Sequence, residues 1–169
     1  MTAASVRRLL DYDAATGLFK WRTRAGDDPH TQMWNTKFAG RPAGGISVGG
    51  YHRISINGVR YYSHHLAWLH VYGEWPAEDL DHRDTDKAHN AIANLRLATD
   101  AQNLSNRVAP AGNTSGYKGV SWNKRLRRWH AYIGKEGRRL HLGFFPSRDE
   151  AAVAYAEAAR KIHGDFARL

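Results

Sequence analysis

Between Val108 and Gly116 the chain reads Val-Ala-Pro-Ala-Gly-Asn-Thr-Ser-Gly, a run with almost no large apolar side chain. Such a run cannot feed a hydrophobic core and reads as a linker. It therefore splits the 169 residues into two blocks, each of which must bury apolar side chains of its own. Periodic patterning stops before the run and restarts after it, so a small α+β unit on each side is the expectation.

In the first block, Ser5 to Leu10 suits a short helix, Asp13 to Gly17 is turn chemistry, and Leu18 to Arg22 alternates as a short strand. Ala25 to Val48 is rich in Gly, Pro, Asp and Thr without a sustained period, and is expected to be irregular until a partner orders it. Tyr51 to Ile56 and Val59 to Ser63 alternate around Asn57-Gly58, a pair that tolerates the two positive φ angles of a type I′ hairpin turn. His64 to Tyr72 carries Leu66, Trp68, Leu69 and Tyr72 at helical spacing, closed by Gly73 and Pro76. Leu80 to Arg83 and Leu95 to Ala98 read as short strands around a polar loop. Thr99, with Gln102 at the capping-box position, starts a helix running to about Arg107. In the second block, Tyr117 to Trp122, Trp129 to Ile133 and Arg139 to Phe145 alternate as strands. Ser147 and Glu150 cap an Ala-rich helix that Gly164 stops. The resulting division is 1–50, an N-terminal region of short strands and irregular chain; 51–107; the linker 108–116; and 117–169.

The chain has 25 Lys and Arg against 16 Asp and Glu, a formal charge of +9. Gly112 to Leu169 holds 12 against 5, hence +7, and Met1 to Ala111 holds 13 against 11, hence +2. A polyanionic partner fits that excess, because each cation that neutralises a phosphate releases counterions. The absence of Cys excludes disulfides, thiolate zinc sites and thiol chemistry. No run approaches the roughly 20 apolar residues of a membrane span, so a cytoplasmic protein without a membrane partner is expected.

Asp81-His82-Arg83-Asp84, Asn90, Asn94-Leu95-Arg96, Thr99 and Asn103 lie at intervals suited to a single-metal hydrolytic site. Asp81 and Asn103 offer hard oxygen donors of the kind that take Mg²⁺ or Mn²⁺. An imidazole, with an ordinary pKa of about 6.5, can take a proton from water near pH 7. Neighbouring residues on a strand point to opposite faces, so Asp81 and His82 serve one site only if the strand ends or bends there. A carboxamide such as Asn94 both donates and accepts, which suits bridging two peptide groups.

This set of residues resembles the HNH endonuclease motif, in the phage and intron homing variant whose last metal ligand is Asn. The resemblance implies a ββα-metal unit in which Asp81 and Asn103 bind one Mg²⁺ (or Mn²⁺), His82 activates water, and Asn94 spans the loop and orients His82. It implies hydrolysis of a phosphodiester in double-stranded DNA, leaving 5′-phosphate and 3′-hydroxyl ends. Thr85, Asp86 and His89 depart from the Gly, Asn and Asn commonest in that loop, which bears on loop conformation and not on the ligand set. His64 stands where related proteins also carry His, in a structural or a DNA-contacting role.

Tyr117-Lys118-Gly119-Val120, Trp129 to Ile133, Leu142 to Phe145 and Glu150 to Tyr155 resemble the AP2 DNA-binding domain, a three-stranded antiparallel sheet on one helix. By alternation Val120, Ile133, Leu140 and Leu142 should face the helix, leaving Lys118, Trp122, Tyr132, Arg139 and His141 outside. Lys124, Arg125, Arg127 and Arg128 crowd the first turn. Those nine outward and turn residues are the expected DNA contacts. Trp129 is expected in the core. Ser121, Asn123, Gly134 and His141 stand where plant regulators carry Arg or Trp, so no base preference carries over. The reading is a metal-dependent homing-type DNA endonuclease, monomer or homodimer. Its alternative is a DNA-binding regulator that keeps the nuclease fold without cutting.

Overall fold

The structure is a computed structural model, and residues 1–106, 112–135 and 137–167 are described. It divides into two compact units, Met1–Leu97 and Ala98–Leu169.

The first unit opens with α1 (Ala3–Leu9), capped by the Thr2 hydroxyl on the Ser5 N–H. β1 (Leu10–Tyr12) and β2 (Phe19–Trp21) pair antiparallel around the Asp13–Gly17 turn. β3 (Gly45–Ile46), β4 (His52–Ile56) and β5 (Val59–Tyr62) form an antiparallel sheet. Asn57 (φ 50°) and Gly58 (φ 80°) make its hairpin turn as their residue types require. α3 (Ser63–Tyr72) ends at Gly73, left-handed at φ 86°, whose N–H returns to Leu69. Val6, Leu10, Phe19, Ile54, Ile56, Leu66, Leu69 and Leu95 make one core, so the N-terminal fifty residues share a hydrophobic interior with the hairpin and α3. β6 (Asp79–His82) then pairs with β7 (Leu95–Ala98).

The segment expected to be irregular contains α2 (Pro29–Phe38), which corrects that reading. Its start is conventional: Asp28 caps the Thr31 N–H and Pro29 sits in the first turn, where its missing N–H costs nothing. The helix has no fully buried residue, so hydrophobic periodicity gave no signal.

In the second unit, α4 (Asp100–Asn106) starts at the Thr99–Gln102 capping box, each residue bonding the other's backbone N–H. β8 (Val120–Asn123), β9 (Arg128–Lys135) and β10 (Arg138–Phe145) form an antiparallel sheet with β9 central. α5 (Arg148–His163) covers one face. The Ser147 hydroxyl accepts the Glu150 N–H and donates to the Glu150 carboxylate, and Ala151, Tyr155 and Ala159 bury against Val120, Ala131 and Ile133. Gly119 (φ 68°) is required there, since a Cβ would stand 2.4 Å from the Tyr155 ring. Trp129, Leu142 and Phe145 pack on this core.

One outward assignment changes, and one inward residue is less covered than expected. Trp122 lies opposite Trp129 and two residues from Val120, so it shares the helix-covered face although 44% exposed. Leu140 lies opposite Ile133, but near the end of the sheet, and stays 40% exposed. Within the expected linker, Ser115 is buried and bonded to the Asn113 carboxamide and the Tyr117 carbonyl. Residues 107–111 lie outside the described residues.

Candidate active site

β6 ends at His82, and the chain turns at once: the Arg83 N–H bonds the Asn94 carbonyl and the Thr85 N–H returns to the His82 carbonyl, each at 2.9 Å. Thr85 adopts φ 70°, a left-handed conformation that a β-branched residue rarely takes. The loop that follows is tied by side chains. Asp84 Oδ1 accepts from the Asp86 N–H (2.9 Å), Asp86 Oδ1 accepts from the Ala88 N–H (2.9 Å), and His89 Nδ1 lies 2.5 Å from Asp84 Oδ2. Asp84 titrates below the usual carboxylate range: burial pushes it up, and hydrogen bonds from His89, Asn94 and the Asp86 backbone outweigh that. His89 is thus a partner of the loop's own carboxylate.

Asn94 closes the loop. Its Oδ1 accepts from the Asp84 N–H at 3.1 Å, while its Nδ2 donates to the His89 carbonyl (2.8 Å) and to Asp84 Oδ1 (2.9 Å). The hydrogen bond to the imidazole comes from another residue, Asn90, whose Oδ1 stands 3.1 Å from His82 Nε2. Asn90 is 1% exposed, donates its Nδ2 to the Ala88 carbonyl, and accepts the Tyr12 hydroxyl on its own carbonyl at 2.8 Å. With Nδ2 so engaged, Oδ1 faces His82 as an acceptor. The ring hydrogen in that bond then sits on Nε2, and the lone pair on Nδ1. Asn90 belongs to the motif, but no spacing argument gave it this role.

The N-terminal turn buttresses the same loop. The Ile92 N–H bonds the Ala14 carbonyl at 3.1 Å, and a Cβ on Gly17 would stand 2.2 Å from the Asn90–Ala91 peptide, so only glycine lets the two backbones meet. On the other side of His82 are rings: His64 edge-on at 5.1 Å and Tyr51 at 6.3 Å. His64 is buried with no hydrogen-bond partner for Nδ1 among the described residues. Burial, then the neighbouring His65 and His82, push its pKa down to about 3.

Asp81 is buried against Arg96 of β7. Both Nε (2.9 Å) and Nη2 (2.7 Å) donate to its Oδ2, and each partner is 8% exposed. The Arg of Asn94-Leu95-Arg96 is therefore a partner of the carboxylate, which sequence reading missed. Asn103 lies half-buried on α4 in the second unit, its backbone N–H bonded to Thr99. A buried strand-end carboxylate and a carboxamide are hard donors of the kind that a divalent metal takes. Among the described residues no group of three or more His, Asp or Glu side chains is placed to hold a metal ion. Mg²⁺ accepts such a sparse set, because it retains several waters.

A family model described as HNH endonuclease matches residues 61–105. Protein 3.8 of Escherichia phage T7 is 38% identical over 92 residues, covering 53% of this chain and 74% of that protein. The chain belongs to the HNH endonuclease family. HNH nucleases generally depend on a divalent metal. An uncharacterized HNH endonuclease of Acanthamoeba polyphaga mimivirus is 32% identical over 100 residues, 59% of this HNH chain and 51% of that one. A dehydration-responsive element-binding protein of Oryza sativa is 38% identical over 71 residues, covering 39% of this chain and 24% of that protein. The HNH homing endonuclease I-HmuI, solved in a study of DNA binding and cleavage, aligns with a TM-score of 0.40 at 20% identity, covering 91% of this chain and 84% of its own.

On the second unit's sheet, Tyr132 lies opposite His141 and His130 opposite Phe144, so all four share the face away from α5. His130 Nε2 and His141 Nδ1 are 2.8 Å apart, and the Arg139 guanidinium lies 4.9 Å from the Tyr132 ring centre. His130 and Phe144 were not among the expected contacts. Lys124, Arg125 and Arg127 sit exposed in the β8–β9 turn, with Arg128 opening β9. Lys118 is half-buried and donates its ammonium to the Ser105 carbonyl, and Trp122 is on the other face. Neither is presented as expected.

Proposed function

We propose that this HNH protein is a metal-dependent DNA endonuclease of the homing type that hydrolyses a phosphodiester in duplex DNA. The single observation that carries this reading is the buried His82–Asn90 pair, set in a loop that Asn94 ties shut, one residue from the Asp81 carboxylate. His82 takes the proton of the attacking water on Nδ1, while Nε2–H stays on Asn90 and keeps the ring from turning. Asn94 fixes the loop that carries the base. Asp81 and Asn103 are the residues that would hold the ion, which when bound offsets negative charge on the phosphate and on the departing oxygen. Arg96 keeps the Asp81 carboxylate oriented across β6 and β7. Arg139, Tyr132 and His141 on the open sheet, with Lys124, Arg125, Arg127 and Arg128, hold the duplex, mainly through phosphates.

Incubation of supercoiled plasmid with the full chain and Mg²⁺ should give nicked or linear DNA, and chelator should abolish it. One specific observation favours a second reading: Asp81 Oδ2 already carries two guanidinium N–H groups, so a chain in which that ion pair persists would bind DNA without cutting. Salt-sensitive DNA binding with no strand scission across Mg²⁺ and Mn²⁺ would establish that regulator role instead.

A further inference from the structure

The first unit has a concave surface that shares no lining residue with the His82 site. It is a cleft of about 350 Å³ lined by Trp21, Arg24, Trp34 and Phe38 together with the end of β4 at Ser55 and Ile56 and its turn at Asn57. That volume lies within the roughly 300–1,000 Å³ of small-ligand sites. Its walls are aromatic. Trp21 meets Trp34 edge-on at 5.6 Å, and Phe38 lies 5.4 Å from Trp34.

Arg24 is fixed in this cleft from two directions. Asn35 bonds both sides of its peptide, accepting from the Arg24 N–H at 2.8 Å and donating to the Arg24 carbonyl at 2.9 Å. Its guanidinium lies flat enough over Trp34 to bring the central carbon 3.6 Å from the ring centre. Yet its Nε–H is enclosed without an acceptor, and among the described residues no carboxylate pairs with this arginine. A guanidinium held by stacking, with an enclosed Nε–H that has no acceptor, is an incomplete hydrogen-bonding arrangement, and a ligand carrying acceptors suits its N–H groups. The surroundings favour an anion: Phe19 to Arg41 contains Lys20, Arg22, Arg24, Lys37 and Arg41 against Asp27 and Asp28.

A phosphate alone would not need the aromatic walls, and an uncharged planar ring would not need the cations. A nucleobase attached to its backbone needs both. We propose that this cleft receives an unpaired nucleobase of the DNA, stacked on the Arg24–Trp34 pair, with guanidinium N–H groups donating to a base carbonyl or ring nitrogen. The inference rests on the reading that DNA is the partner, and it does not depend on cleavage.

The test uses the full chain carrying His82→Ala, so that DNA is not cut, and two labelled duplexes that differ only by one bulged 2-aminopurine. The bulged duplex should bind about tenfold more tightly, a size set by base–aromatic stacking, and its 2-aminopurine emission should change on binding. Arg24→Met and Trp34→Leu should each bring that ratio close to one while leaving affinity for the paired duplex within about twofold. Circular dichroism and melting check folding. Should Trp34→Leu unfold, Arg24→Met alone decides, because it preserves the stem and the walls. Equal affinity for the two duplexes overturns the proposal, as does a preference that survives Arg24→Met. Failure to bind either duplex sinks the DNA reading itself, whereas binding of paired DNA without bulge preference sinks only this inference.

Discussion

His82 and His130 each have an imidazole nitrogen hydrogen-bonded to another side chain, and the settings differ. His82 is buried, and the Asn90 amide nitrogen is held by the Ala88 carbonyl, so Oδ1 faces the ring and the proton of that bond sits on Nε2. His130 lies near the surface on an open sheet and faces a second imidazole, His141, at 2.8 Å, where either ring can donate. Burial and His141 push His130 below the usual histidine range, but nothing there fixes a tautomer. A group that must move a proton gains from a fixed tautomer and a fixed ring. On the proposed reading the open face meets DNA, and it gains from side chains able to readjust.

The largest break of this contrast is His82→Ala. Cleavage should fall by roughly 10²–10⁴, as for loss of a general base, with DNA affinity unchanged by filter binding; a parallel loss of affinity would place His82 in the binding surface. Next in size is Arg96→Met. Leaving the Asp81 carboxylate buried without its guanidinium should cost about 3–5 kcal/mol, read from urea denaturation, and a change within 1 kcal/mol would mean that the pair is solvated.

Acid separates the buried first unit from the open sheet in a third way. The folded His64 stays neutral until about pH 3, while the unfolded chain takes that proton near 6.5. The depressed value means that this stability is whole above about pH 6.5 and is lost as pH falls toward 3. Melting temperature should therefore drop on acidification, and His64→Gln should shrink the drop; an unaltered pH profile would remove His64 as its source. On the open face, Arg139→Ala should weaken DNA binding only a few-fold and reduce the salt slope by about 1. An unchanged slope would take Arg139 off the phosphates. The smallest effect expected is a gain: Thr85→Gly relieves a left-handed β-branched residue and should stabilise by about 1 kcal/mol, seen as a higher melting temperature.

Much of this was legible in the sequence where the signal was local. Asn57-Gly58, the Thr99–Gln102 and Ser147–Glu150 boxes, and the strand-loop-strand-helix order around Asp81 depend on residues a few positions apart, and they appear in the fold as read. What stayed hidden depends on distance. α2 buries no stripe and is held by Trp34 against Trp21, a contact that no period reveals. Arg96 meets Asp81 across a strand pair, Asn90 meets His82 across a loop, and Lys118 finds a carbonyl thirteen residues back. Trp122 takes the helix-covered face, against its expected outward position, because Val120, two residues away on the same strand, sets the phase of β8.

The abutment of Gly17 on the Asn90–Ala91 peptide carries a consequence for anyone trimming or transplanting this HNH unit. The segment matching the family model starts at residue 61, yet one wall of its loop comes from a turn more than forty positions earlier. A fragment cut to the motif would keep Asp81, His82, Asn94 and Asn103 and lose the backbone that their loop leans on. A single methyl group at position 17 would do similar harm in the intact chain.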